Sequence, residues 1–469
     1  MREIATVAFV GLILLLFRLD REGRARVSAA LWLPVAWTFL AGSRMVSEWF
    51  GPDYVAKSPE ALLDGSPLDR FVMTVMLVVG LGVLVARGPQ VAAVLRTNGP
   101  VILFFLWAAF SVLWSDYPDV AFKRWIKACG NVVMVLIVLT EIDPAAALKR
   151  YLARLGFVLV PLSILFIRYY PDLGREYHRW TWTPSYTGVA TSKNALGCVC
   201  LVLGLASLWR VLEAFRGNTD GSDPWMSAAQ AARARRRTLL AHGSVLVMTL
   251  WLFWMADSAT TLSCFLAAGA LMMVAGTPGV AKTPSRLHAV VAAGVVAVLC
   301  GMLFMDVFAA VMGRDTTLTG RTALWSELLQ MSADPVLGAG FESFWLGDRA
   351  TRLWARHWWR PNQAHNGYLE IYLSLGLIGV VLLAAVIVRG YRNVVATLYY
   401  DPSGGRLRLA YLTAAVLYNL TEAAFKGVHL VWIVCFLAVI RVPPFAPRPE
   451  LAPPAAELEL EPMSSEPTR

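Results

Sequence analysis

The residue best placed to do chemistry is His365. It opens a His365-Asn366 pair that nine residues separate from Gly376-Leu377-Ile378-Gly379-Val380. The pair closes a stretch beginning at Gly313 that is the longest polar interval in the chain and carries Arg314, Arg321, Arg349, Arg352, Arg356 and Arg360. From Gly367 onward the chain is apolar enough to enter a membrane, so His365 is expected where a helix meets water. An imidazole there can take or give a proton near neutral pH, and guanidinium forks hold anions, phosphate above all. Proton transfer beside an anionic substrate is the chemistry these residue types allow. The alternatives are a helix-capping or headgroup-contacting histidine and arginines that only touch lipid phosphates.

The elements that must position these groups are membrane helices. Of 469 residues, 57% are hydrophobic and 16% charged, against about a quarter charged in soluble domains. The composition predicts an all-α polytopic membrane protein. Apolar segments near the ~17–25 residues a span needs lie at about 4–19, 27–42, 71–86, 99–114, 125–140, 155–170, 195–212, 238–256, 258–276, 287–312, 367–388, 409–424 and 428–441, giving about 12–13 spans. The first is taken as a retained span, since no small-residue cleavage site follows it. The last two are short, with Lys426 and His429 between them, and fit a re-entrant pair as well as two spans. The expected organisation is a bundle of ten spans over 1–312, a large loop over 313–366, the last spans over 367–441 and a disordered Pro- and Glu-rich tail over 442–469.

Lys and Arg set the orientation. Clusters such as Arg18 and Arg21, Lys149 and Arg150, Arg235 to Arg237, and Arg389 and Arg392 follow odd-numbered spans, which puts those ends in the cytoplasm and the loop at 313–366 outside. Two outer segments are nevertheless basic. One holds Arg175, Arg179 and Lys193, and the other the loop arginines. Because such charges do not assist insertion, an anionic ligand is expected there. The net charge of +10 comes with no aromatic-basic motif for nucleic acid, so no nucleic-acid partner is expected. The six cysteines lie in apolar runs without CxxC spacing and count as small hydrophobes. No Asp or His cluster has metal-ligand spacing, so neither metal nor cofactor is expected.

Within 171–194, Tyr177, Trp180, Trp182 and Tyr186 alternate with bases. They form an interfacial belt or stack on sugar rings. Ser192-Lys193-Asn194 opens the next span, where Lys193 snorkels or the helix end holds phosphate. In the large loop, Leu324, Leu328 and Met331 have helical spacing and Asp334-Pro335 ends the helix. Arg349, Arg352, Arg356 and Arg360 are spaced three, four and four, which predicts one helix face with Trp354 and Trp358 opposite. Glu370, about a turn beyond His365, orients a substrate or pairs with a base. Glu422 and Lys426, one helical turn apart, are expected to pair at the membrane edge, as a functional candidate, which an acid inside a membrane is by default, or as a structural pair.

These motifs resemble the O-antigen ligase and O-antigen polymerase group of bacterial polysaccharide enzymes. The likeness is carried by Gly320-Arg321-Thr322 with Trp325, by Asp334-Pro335-Val336-Leu337-Gly338-Ala339-Gly340-Phe341, and most specifically by His365-Asn366 with Tyr368, Leu369 and Glu370 followed by Gly376 and Gly379-Val380. Lys193-Asn194-Ala195-Leu196-Gly197 and Asn419-Leu420-Thr421-Glu422 look more like the exopolysaccharide-polymerase branch. The likeness covers roughly 185–440. It implies transfer of a glycan from a polyprenyl (undecaprenyl) diphosphate carrier to an acceptor hydroxyl at the periplasmic face of the inner membrane, without metal or cofactor. The acceptor would be a lipid A core or a growing glycan. It gives His365 the part of general base and Arg321 that of a diphosphate-binding residue. Lys193, Asn194, Arg356, Arg360, Asn366 and Glu370 are further substrate-binding candidates, and Gly376 and Gly379 are expected to let another helix approach closely. A transporter for the same lipid-linked glycan is the competing class, but no internal repeat of the kind transporters show is found.

Overall fold

A computed structural model of the chain describes residues 1–20, 27–51, 65–177, 182–216, 227–281, 283, 285–297, 317–332 and 334–443, with side chains at 281 and 317–320 left aside. Arg21, Arg179, Trp180, Arg314, the second half of the segment at 287–312 and the tail from 444 lie outside the described residues.

The chain is an all-α, multi-pass membrane protein, and each of the expected apolar segments coincides with a helix over its described part. Among the described residues five helices are long and apolar enough to cross a membrane: Pro67–Ala86, Pro144–Tyr169, Lys193–Phe215, Ala228–Ala256 and Gly367–Tyr400. A sixth is possible if Gly88–Thr97 and Gly99–Trp114, bent by 89° at Asn98, form one broken span. Two of these helices begin at an Asp or Ser N-cap with Pro in the first turn, at Asp143-Pro144 and Ser66-Pro67. There a missing N–H costs nothing and the cap satisfies an orphan donor. Lys193–Phe215 is the most enclosed, with 78% of its apolar window buried against 22% for Pro67–Ala86. The first is therefore a central post, and the second turns most of its apolar surface outward, as a lipid-facing helix does. The described strands are a short antiparallel pair, Arg175–Tyr177 with Pro184–Tyr186. It leaves Trp182 exposed and sets Arg175 over the Tyr186 ring.

The polar stretch before His365 packs as a cap with its own core. Leu324 and Leu328 from the helix Thr317–Gln330, Phe344, Leu353 from Gly347–Arg356, Ala364 and Leu373 bury one another. Leu373 belongs to the membrane helix Gly367–Tyr400, so the cap is fastened to the element that begins just after His365.

That helix is broken. Gly376 has φ 64° and ψ −166°, so a first piece up to Leu375 meets a second starting at Leu377. The glycines of the motif therefore do not serve a second helix. A Cβ at Gly376 would lie 2.0 Å from the Val336 carbonyl oxygen, and one at Gly379 would strike Leu375 of its own chain segment. What enters the break is the loop Pro335 to Ala339. Leu377 N donates to Pro335 O at 2.9 Å, Ala339 N donates to Leu373 O at 2.9 Å, and Trp107 Nε1 donates to Leu375 O at 3.1 Å. The backbone groups freed at the break thus find partners, as a membrane requires. Gly376→Ala adds both a forbidden backbone conformation and a backbone clash. It is expected to cost more than about 4 kcal/mol, read as a lost or strongly lowered melting transition in detergent. A variant melting with the wild type would remove this account of the break.

Candidate functional site

The site forms where the start of one helix meets the end of the next. Asn366 is the N-cap of Gly367–Tyr400 and accepts the Tyr368 and Leu369 N–H groups at 3.0 Å each, a cap worth about 1 kcal/mol. The helix Pro402–Thr421 stops when Glu422 turns extended, with φ −141° and ψ 168°. Asn419 Oδ1 holds the reversal by accepting Ala424 N at 2.7 Å and Phe425 N at 3.0 Å. Gly367 is needed for this meeting, because a Cβ there would lie 1.9 Å from Asn419 Oδ1. Gly367 N also donates to Glu422 O at 3.0 Å.

His365 has φ 51°, uncommon for a residue with a side chain. Such a conformation persists only when its surroundings over-determine it, and here both sides of the preceding residue are held. Ala364 N donates to Glu370 Oε1 at 2.6 Å, and Trp325 Nε1 donates to Ala364 O at 2.7 Å. The result aims the imidazole at Glu422, with His365 Nδ1 2.9 Å from Glu422 Oε2. The other carboxylate oxygen, Oε1, accepts Asn194 Nδ2 at 3.2 Å and meets Arg321 Nη2 at 3.3 Å. Arg321 also donates to Thr421 O. Three distant segments thus converge on the side chain of Glu422, a residue only 5% exposed, while His365 and Arg321 keep 23% and 24% of their side chains accessible. With Nδ1–H donated to Glu422, the Nε2 atom of His365 has no hydrogen-bond partner among the described residues and is left to accept a proton. Arg321 retains donors beyond the two it uses, since a guanidinium carries five.

The other expected site residues fall around this centre. Lys193 stands beside Asn194 but reaches Asp257, at 3.8 Å. Glu370 is 4% exposed and both its oxygens are taken, one by Ala364 N and the other by Trp345 Nε1 at 2.8 Å. It holds the backbone before His365 and pairs with no base among the described residues.

The arginine edge is shorter than its spacing implies. The helix ends at Arg356, His357 is extended and Arg360 has φ 50°, so Arg360 and Trp358 leave the two faces assigned to them. Arg349 pairs with Asp116, Arg356 with Glu327 at 2.8 Å, and Arg360 lies 5.6 Å from the Trp354 ring centre. Glu327 also takes His357 Nε2 at 2.8 Å. Its carboxyl is held below the ordinary carboxylate range, chiefly by that His357 hydrogen bond and then by Arg356. These arginines therefore pin the cap together before they offer anything to a ligand.

The expected Glu422–Lys426 pair is absent. The four-residue spacing brings side chains together only on a continuing helix, and the helix has ended at Thr421. Glu422 instead gathers His365, Arg321 and Asn194, while Lys426 Nζ donates to Gln363 Oε1 at 2.9 Å. The organising part of Glu422 was missed in the sequence, although Asn419 to Glu422 carried part of the resemblance.

Two comparisons with known proteins find similar sequences. Residues 231–384 match the family model described as O-Antigen ligase. That region holds Arg321, His365, Gly376 and Gly379, and leaves out Asn194 and Glu422. The chain is also 28% identical over 304 residues to the exopolysaccharide production protein ExoQ of Rhizobium meliloti (strain 1021). That alignment covers 62% of this chain and 64% of the relative, so the match spans under two-thirds of the relative's length. The chain is a multi-pass membrane protein, similar over these stretches to the O-antigen ligase family model and to an exopolysaccharide production protein.

Proposed function

We propose that the protein is a membrane glycosyltransferase that moves a glycan from a polyprenyl diphosphate carrier to an acceptor hydroxyl, at the periplasmic face of the inner membrane. The observation that carries this reading is the convergence of His365, Arg321 and Asn194 on the buried Glu422 carboxylate. A sugar hydroxyl is a poor nucleophile. His365 Nε2 takes its proton as the oxygen attacks the anomeric carbon, while Glu422 holds the tautomer and steadies the imidazolium that forms. The bond from the anomeric carbon to the diphosphate oxygen breaks with its electron pair, and the anomeric configuration inverts. Arg321 stabilises the charge that gathers on the leaving diphosphate, and Lys193, next to Asn194 in the chain, is the further cation for it. No step calls for a metal or cofactor.

The ligase reading attaches the glycan to a lipid A core, and the match to the O-antigen ligase model supports it. The polymerase reading joins one carrier-linked unit to another. It is favoured by the relative named for exopolysaccharide production and by the contact of Asn194 with Glu422, which unites the two segments resembling that branch. The test offers purified protein in detergent a labelled polyprenyl diphosphate-linked glycan, with either lipid A core or a second carrier-linked glycan as acceptor. Labelled product on one of them is expected and names the acceptor. Product on neither, with intact donor recovered, sinks the transferase reading.

A further inference from the structure

Two cavities lie against the loop from Glu422 to His429, on residues that the proposed transfer leaves unused. One holds about 250 Å³, and its lining includes Asn362, Ser374, Phe425, Lys426 and His429. The other holds about 270 Å³ and is lined by Ser43, Glu48, Thr191, Ala195, Cys198 and His429 among others. Val428 and His429 line both, so the His429 ring stands at the junction of the two spaces. Each space is close to the lower end of ligand cavities, ~300 Å³, which suits one or two sugar rings and not a bulkier group.

The polar groups of the first cavity are unevenly spent. Its acids are partly engaged. Glu370 accepts Ala364 N and Trp345 Nε1, one on each oxygen, and Glu342 accepts the Gly427 N–H on Oε1 and keeps Oε2. Its donors are not exhausted. Lys426 uses one N–H on Gln363, and His429 accepts Val431 N through Nδ1 at 3.2 Å. The Nε2 atom of His429, the Asn362 amide and the Ser374 hydroxyl have no hydrogen-bond partner among the described residues. The same lining holds the apolar Phe341, Ile371 and Phe425. Donors together with apolar aromatic rings in one cavity match a pyranose, whose hydroxyl oxygens accept hydrogen bonds and whose C–H face lies on a ring.

The position relative to His365 decides which sugar. Gln363, two residues before His365, is the partner of Lys426, so one side chain separates the cavity from the imidazole. Arg321 lines neither cavity and meets the loop at its other end, on Thr421 and Glu422. An in-line displacement sets the attacking hydroxyl opposite the leaving group. We propose that the Lys426–His429 cavity seats the acceptor sugar whose hydroxyl attacks, and that the adjoining cavity takes the next part of the same acceptor glycan. This rests on the transferase reading above.

The test varies donor and acceptor separately for Lys426→Met and for His429→Asn, which keeps an N-cap acceptor for the following helix. Losing one hydrogen bond to the acceptor is expected to raise its KM about ten-fold, with the donor KM and kcat unchanged. An unchanged acceptor KM in both variants overturns the assignment, and so does a rise in donor KM alone. Should either variant fail to insert, the wild type still decides the matter. The oligosaccharide released by mild acid from whichever acceptor proves active, lipid A core or carrier-linked glycan, should then compete with that acceptor, and a failure to compete with it overturns the proposal. The two readings fail separately. No transfer by the wild type to either acceptor removes the transferase reading, whereas transfer with an unmoved acceptor KM in both Lys426→Met and His429→Asn removes only the acceptor cavity.

Discussion

Replacing His365 by alanine is expected to slow glycan transfer by roughly 10²–10⁴-fold, while the chain still inserts and holds its donor. The side chain contributes little to the fold. Its bond to Glu422 is its close polar contact, and the backbone turn at this position is held by Glu370 and Trp325 acting on Ala364. Alanine at φ 51° carries some strain, so His365→Asn is the better partner experiment. Asparagine visits the left-handed region at low cost and presents no imidazole. Both variants should lose activity alike. If asparagine restored it, the loss in alanine would come from the backbone, and proton transfer by His365 would be excluded.

The second large effect is expected at Glu422. Glu422→Gln keeps the volume but withdraws the charge opposite Arg321 and the acceptor that fixes the His365 tautomer, and transfer should fall on the order of 10²-fold or more. Glu422 acts through His365 and Arg321, so it is a positioning residue. A merely structural part would show as reduced folded protein. The positioning role predicts a normally folded Glu422→Gln that transfers slowly, with part of the rate regained in Glu422→Asp. Equal rates for glutamine and aspartate would contradict it.

How far the sequence discloses this site depends on what each inference assumed. Apolar length was enough for the helices, because a span is set by membrane thickness and needs no partner. His365, Arg321 and Asn194 stand out by residue type and motif, and they do meet. What misled was helical periodicity carried past a helix end. Glu422 with Lys426, and Arg360 with Trp358, are neighbours only if the helix continues, and it stops at Thr421 and at Arg356. The first stop is made by the Asn419 side chain, and the second lies just before a Trp-Trp-Arg-Pro run whose proline disfavours helical backbone ahead of it. The break at Gly376 is hidden for a different reason. A glycine within an apolar run is ordinary in membrane helices, and only the arrival of Val336 from a loop forty residues earlier makes it obligatory. Long-range contacts of this kind leave no local periodicity to detect.

The break and the site are one construction. The loop at Pro335 to Ala339 fills the gap at Gly376, the cap buries Leu373 of the same helix, and the same cap supplies Arg321 and Trp325 to the His365 turn. A cap anchored at two points along the first turns of a membrane helix keeps the histidine at a fixed depth. In the proposed reading this suits a donor whose diphosphate is tied to the membrane surface by its lipid.

The most direct measurement is a single turnover with donor already bound. Wild type, His365→Ala and Arg321→Ala are each loaded in detergent with labelled polyprenyl diphosphate-linked glycan, freed of excess, and mixed with acceptor at equal folded concentration. The account predicts rapid transfer by the wild type. His365→Ala should retain the label without passing it on, and Arg321→Ala should retain little. Transfer by His365→Ala at the wild-type rate would contradict the account.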